Sequence, residues 1–153
     1  MCDFEISRPV DLILCLCDSI NYLLEPHQIM QTFQNVFRSL KAEGTFIFDI
    51  DSLYKMNVIL DQYSEKEEDE EFVFEWRVDK IDDGYVHHHV YIEDKQESEI
   101  VDEDHYQKTY SVNQYLYWLK EAGFSQVDYY SDFHEYHDDC ERIIFVCQKE
   151  EII

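Results

Sequence analysis

Hydrophobic positions in the first third of the chain fall into two patterns. Leu12 to Leu16 and Phe46 to Phe48 are short, continuous apolar runs, each followed by acidic and hydroxyl residues. Between them Ile29, Phe33, Val36, Phe37 and Leu40 recur at helical spacing behind Pro26, which suits a first helical turn, and Gly44 is the expected stop. The pattern predicts a strand, a helix and a second strand. A run that is apolar on both pleat faces suits a strand covered on both sides, as in parallel sheets flanked by helices. In such sheets ligands lie outside the carboxyl ends of the strands. That singles out Cys17, Asp18 and Ser19 after the first run, and Asp49, Asp51 and Ser52 at the end of the second.

Further along, Ser52 is placed to cap a helix in which Leu53, Met56, Ile59, Leu60 and Tyr63 share a face. Glu65 to Glu71, a run of acids broken only by Lys66 and so dense in like charge, predicts a solvated, mobile linker. Phe72, Phe74 and Trp76 then alternate with Val73, Glu75 and Arg77. The chain turns at Asp82-Asp83-Gly84 and returns through Tyr85 to Ile92, a hairpin of the Asp-Gly type. With an extended segment from His105 to Tyr110, three antiparallel strands are expected, forming a lid or substrate-side unit without an independent core. Ser111 caps a helix carrying Val112, Tyr115, Leu116, Leu119 and Ala122 that stops at Gly123. Strands from Gln126 to Tyr130 and Ile143 to Cys147 follow, separated by a polar loop.

Composition narrows the functional classes. At 153 residues the length suits one domain, and 45% hydrophobic content argues for a folded core. Twelve basic residues against 35 acidic ones give a net charge of −23, a surface that repels nucleic-acid backbones and anionic membranes. No apolar segment approaches the ~20 residues needed to span a bilayer, and Met1 to Pro9 has no signal-peptide core. Five cysteines, an odd number without framework spacing, fit a reducing, cytoplasmic compartment.

No metal site is expected. Cys15 and Cys17 alternate along a strand without a second cysteine pair, and His134-x-x-His137-Asp138-Asp139-Cys140 holds ligand types in what reads as loop. In His87-His88-His89 only the outer two can share a face. Cys17 is the one cysteine at a strand's carboxyl end, but no histidine partner for nucleophilic chemistry is visible. The only glycines are Gly44, Gly84 and Gly123, each accounted for by a cap or turn, so there is no Gly-rich phosphate loop.

Four stretches together resemble class I S-adenosylmethionine-dependent methyltransferases, of a bacterial small-molecule-type branch. They are Val10 to Leu23 with its Cys-Asp-Ser-Ile-Asn-Tyr segment, Phe37 to Gly44, Thr45 to Ser52, and Tyr115 to Phe124 ending Lys-Glu-Ala-Gly-Phe. The resemblance implies an α/β fold: a partial Rossmann-like methyltransferase sheet, strands four to seven with the last antiparallel, and a three-stranded antiparallel insertion. Residues 1–63 and 111–153 would form the core, and 64–110 the acidic linker and insertion. It also implies a chain holding only the carboxyl-terminal half, since the family's Gly-rich turn and ribose-binding acid are absent. Weak or no cofactor binding, and inactivity of this chain alone, are then expected.

Carried over by position, Met1 and Cys2 would lie near the adenine of S-adenosylmethionine, and Cys17, Asp18 and Ser19 would border its methionyl and methyl-donor side, joined by Asn21 and Tyr22. On the substrate side, with Asn21 and Tyr22, would be Tyr54, Trp76, His89, His105 and Gln107. Asp18 is the candidate base. The expected partner is a small-molecule methyl acceptor, with no nucleic acid and no membrane, and the open edge from Val10 to Leu16 invites self-association. The alternative is a non-catalytic half-domain that serves as an interaction or subunit module.

Overall fold

The computed structural model describes residues 1–150, and two four-stranded sheets organise them. Strand β1 (Val10–Cys15) leads through a 3-10 turn (Ser19–Tyr22) to helix α1 (Pro26–Ser39) and strand β2 (Leu40–Asp51). Strands β3 (Ser64–Glu68), β4 (Phe72–Asp82), β5 (Tyr85–Asp94) and β6 (Glu99–Lys108) follow. Helix α2 (Val112–Ala122) and strands β7 (Gln126–Ser131) and β8 (Arg142–Gln148) complete the chain.

The first sheet has the order β1-β2-β8-β7. As the apolar runs predict, β1 and β2 are parallel neighbours, with Leu12 opposite Thr45 and Cys15 opposite Phe48. Strand β8 runs antiparallel to both β2 and β7. Helices α1 and α2 pack on one face, where Phe33, Phe46, Phe48, Tyr115, Leu119 and Phe145 are fully buried. Phe48 stacks on Phe145 with ring centroids 4.8 Å apart and planes 5° from parallel.

Cover on both faces of β1 is not what the structure has. Leu12, Leu14 and Leu16 are about half exposed, at 49%, 52% and 48%, while Val10, Ile13 and Cys15 face the core. Successive side chains alternate faces, so a continuous run makes both faces apolar, but only the face carrying Ile13 and Cys15 is covered by the described residues.

Three other expectations are corrected. Helix α1 ends at Ser39, before Gly44, because Leu40 already has extended backbone. Gly44 instead belongs to an irregularity in β2, where a Cβ would come within 2.9 Å of the Lys41 carbonyl oxygen, and the register to β1 shifts alongside. The stretch after Ser52 is one short turn that becomes π-helical at Lys55–Ile59, although the Ser52 hydroxyl does accept from the Lys55 backbone N–H at 3.0 Å. The acidic run is not a mobile linker: Ser64–Glu68 is a strand paired antiparallel with β4, so the insertion has four strands in the order β3-β4-β5-β6.

Cross-strand cations offset the charge of that run. Lys66 meets Glu75 at 2.6 Å and Lys95 meets Glu68 at 3.0 Å. Asp69 turns the chain by accepting from the backbone N–H groups of Glu71 and Phe72 at 2.7 and 2.8 Å. A small apolar cluster ties the insertion to the π-helical turn, with Met56, Leu60, Val78 and Val86 buried against Tyr63 and Trp76.

Candidate functional site

A cavity of about 300 Å³ lies where the carboxyl ends of β1 and β2 meet the inner face of the insertion sheet. Asp18, Tyr22, Asp51 and Lys55 come from the first sheet's side, and Trp76, His88, His105 and Gln107 from the second. The two sheets are joined here by side chains that sequence distance gave no reason to pair.

Cys17 and Asp18 turn sharply out of β1, both in the left-handed region with φ of 59° and 49°. Two successive non-glycine residues there store backbone strain, which persists only when neighbours hold it in place. Here the Asp18 backbone N–H donates to Asp49 Oδ2 at 3.2 Å, and the Asp18 carboxylate accepts from Gln107 Nε2 on β6 at 2.5 Å. Asn21, fully buried, completes the brace. Its Nδ2 donates to the Lys108 carbonyl at 3.0 Å and its Oδ1 accepts from the Asp51 N–H at 2.8 Å.

Buried carboxylates dominate the electrostatics. Asp51 is 3% exposed and meets Lys55 Nζ at 2.9 Å. Burial raises its pKa and the lysine opposes the rise. Asp49 is also buried, 3.5 Å from Arg142 Nε, and its Oδ1 has no hydrogen-bond partner among the described residues. Burial, then the Asp18 and Glu103 carboxylates, raise the Tyr22 phenol pKa.

His88 is the residue that sequence reasoning passed over. On β5 it shares a face with Val86 and Val90, and on β4 Val78 lies opposite it. Its ring stacks near that of Trp76, whose Nε1–H donates to His88 Nδ1 at 3.1 Å. The apolar alternation Val86-x-His88-x-Val90 was the available signal.

His89 was expected on the substrate side together with His105, but strand alternation turns it to the opposite face. There it meets Asp102 at 2.8 Å, as its companion His87 meets Asp104 at 2.6 Å. Tyr54 lies in a separate cavity beneath Tyr110 and Tyr136. Trp76, His105 and Gln107 do line the site, and Tyr22 contacts His105 edge-on with ring centroids 6.0 Å apart.

The remaining positions cluster near the end of β1. Met1 Sδ accepts a long contact from the Cys15 thiol at 3.9 Å, and Cys17 is exposed. Ser19 Oγ is occupied by the Leu16 carbonyl at 2.7 Å. Cys2 packs against the main core, and its carbonyl accepts from Asn35 Nδ2. No group of three or more metal-ligating side chains occurs among the described residues, and no helix there is long and apolar enough to cross a membrane.

No family model matches the sequence. Two curated proteins do, each bearing the name "putative methyltransferase". The one from Geobacillus sp. strain WCH70 is 34% identical over 155 aligned residues, 97% of this chain and 63% of its own length. The one from Bacillus subtilis strain 168 is 30% identical over 148, covering 94% and 60%. A solved S-adenosylmethionine-dependent methyltransferase from Clostridium acetobutylicum superposes with a TM-score of 0.86 at 25% identity, covering 98% of this chain and 62% of that one. The chain thus spans about three fifths of the length of the relatives it matches. Along nearly its whole length it is a homologue of proteins named as methyltransferases, and it has the α/β fold of an S-adenosylmethionine-dependent methyltransferase.

Proposed function

We propose that this chain is the acceptor-side part of an S-adenosylmethionine-dependent methyltransferase that modifies a small molecule. The observation that carries the reading is the cavity at the carboxyl ends of β1 and β2, walled on its far side by the insertion sheet and spanned by the Asp18 to Gln107 hydrogen bond. Its size is at the lower end of small-molecule sites. In this reading β1, β2, β7 and β8 are strands four, five, six and seven of the methyl-donor sheet.

The residues at the strand ends fit the sulfonium end of the donor. Asp18, Asp49 and Asp51 place carboxylates around the turn, and Asp49 Oδ1 is buried without a partner among the described residues. Nothing in the sequence offers a Gly-rich turn for the methionyl group. Donor binding would therefore be shared with polypeptide outside this chain, Met1 and Cys2 lying toward the adenine and Cys17, Asp18 and Ser19 toward the methionyl group. S-adenosylmethionine supplies an electrophilic methyl on a cationic sulfur. The chain's own residues hold the acceptor in line and exclude water, effects that account for much of such a rate enhancement. Asp18 is the carboxylate placed to take the acceptor's proton.

Leu12, Leu14 and Leu16 with the free edge of β1 would be covered by that same polypeptide or, for the isolated chain, by a second copy. Calorimetry with S-adenosylmethionine tests the reading. This chain alone should bind weakly or not at all. A chimera carrying the unmatched part of the B. subtilis relative in its natural order should bind at micromolar affinity. A folded chimera that binds no donor refutes methyl transfer, and micromolar binding by the isolated chain refutes the shared site.

A further inference from the structure

We propose that the cavity selects a hydroxylated amine, the amine against Asp18 and an oxygen toward His88, and rejects anionic acceptors. The inference rests on the reading of this cavity as the acceptor site.

Charge gives the first part. Of the two carboxylates on the wall, Asp51 is neutralised by Lys55 at 2.9 Å, whereas Asp18 has only the uncharged amide of Gln107. His105 is paired with Glu103 at 3.1 Å, so it adds no free positive charge. His88 adds none either. An indole N–H can only donate, so the His88 Nδ1 it reaches must carry the lone pair, and the imidazole is neutral with its proton on Nε2. Burial, which lowers the His88 pKa, acts in the same direction. The wall therefore has one uncompensated negative charge, and the rings of Tyr22 and Trp76 line the same cavity. Carboxylate and aromatic surfaces together are what a cationic amine recognises.

The second part is the unpartnered donor. His88 is 7% exposed and its Nε2 makes no hydrogen bond among the described residues. Gln107 lies close enough to raise the imidazole pKa, yet no acceptor of the described residues, its Oε1 included, meets Nε2 in hydrogen-bond geometry. A buried N–H without a partner on a cavity wall is completed by an acceptor atom from a ligand. An oxygen on the same molecule as the amine supplies it.

Saturation-transfer NMR titrations of the chain, with no donor present, test this with four probes: glucosamine, glucose, glucuronate and cyclohexylamine. Glucosamine should bind about tenfold or more tighter than glucose and glucuronate, the size of one charge-assisted contact. Asp18→Asn, nearly isosteric, should erase that preference while leaving the circular dichroism unchanged. His88→Phe should bring glucosamine down to the affinity of cyclohexylamine. The proposal is overturned if glucuronate or glucose binds as well as glucosamine, if the preference survives Asp18→Asn, or if none of the four binds. Because the titrations need no donor, their failure overturns the amine assignment alone, whereas failure of donor binding by the chimera overturns the methyl-transfer reading.

Discussion

Removing the Asn21 amide should loosen three walls of the cavity at once. Asn21 is fully buried and bonds only main-chain groups, the carbonyl of Lys108 on β6 and the N–H of Asp51 on β2. Its orientation is unambiguous, because only the NH2 end can face a carbonyl and only the oxygen can face an N–H. Asn21→Ala leaves both partners buried without bonds, at about 1–3 kcal/mol each, or about 2–6 kcal/mol together. Against the ~5–15 kcal/mol that holds a typical domain together, this is a large fraction. Asn21→Asp keeps the acceptor but sets a carboxylate against the Lys108 carbonyl. Its folded-state pKa would be raised above the unfolded value of about 3.9. The protonated form can still donate to Lys108, so relative to wild type the variant should be least impaired below that pH and lose stability as pH rises through the folded pKa. Urea unfolding followed by the fluorescence of Trp76 and Trp118 reads both effects. An Asn21→Ala midpoint equivalent to less than about 0.5 kcal/mol of loss would refute the brace, since that is the scale of an ordinary surface substitution.

Three further outcomes are expected. Phe48→Ala, which removes a fully buried ring stacked on Phe145, should cost about 3–5 kcal/mol by the same urea assay. Gly84→Ala should cost about 2 kcal/mol or more: φ is +62° and an added Cβ would sit 2.6 Å from the Thr109 carbonyl oxygen, so thermal melting should show a clear drop. Burial, with Asp49 nearby, raises the Cys15 thiol from 9.0 to about 11. A raised acid favours folding below its unfolded pKa, so stability should fall between about pH 9 and 11, and Cys15→Ala should flatten that part of the pH profile.

How much of this was legible beforehand can be argued from particular residues. The apolar runs and helical spacing in Val10 to Asp51 depend on neighbours within a few positions, and the parallel pair with its helix is as they imply. The Asp-Gly hairpin and the caps at Pro26, Ser111 and Gly123 are likewise local chemistry, and the structure has them. The acidic run misled because like charge predicts repulsion only where counter-charges are lacking. Lys66 and Lys95 supply them, and Lys95 reaches Glu68 from 27 positions along the chain.

The sequence by itself determined most element types and the carboxyl strand ends that deserved attention, Asp18 among them, and the family resemblance supplied the candidates Trp76, His105 and Gln107. Tertiary structure alone decided that Gln107 meets Asp18, that Asn21 ties β2 to β6, and that His88 rather than His89 faces the cavity. Periodicity constrains which face a side chain takes only relative to its neighbours along the same element. Which face of the insertion turns inward is set by the packing of Val78 and Val86 on Met56 and Leu60, a contact between segments that no local pattern encodes.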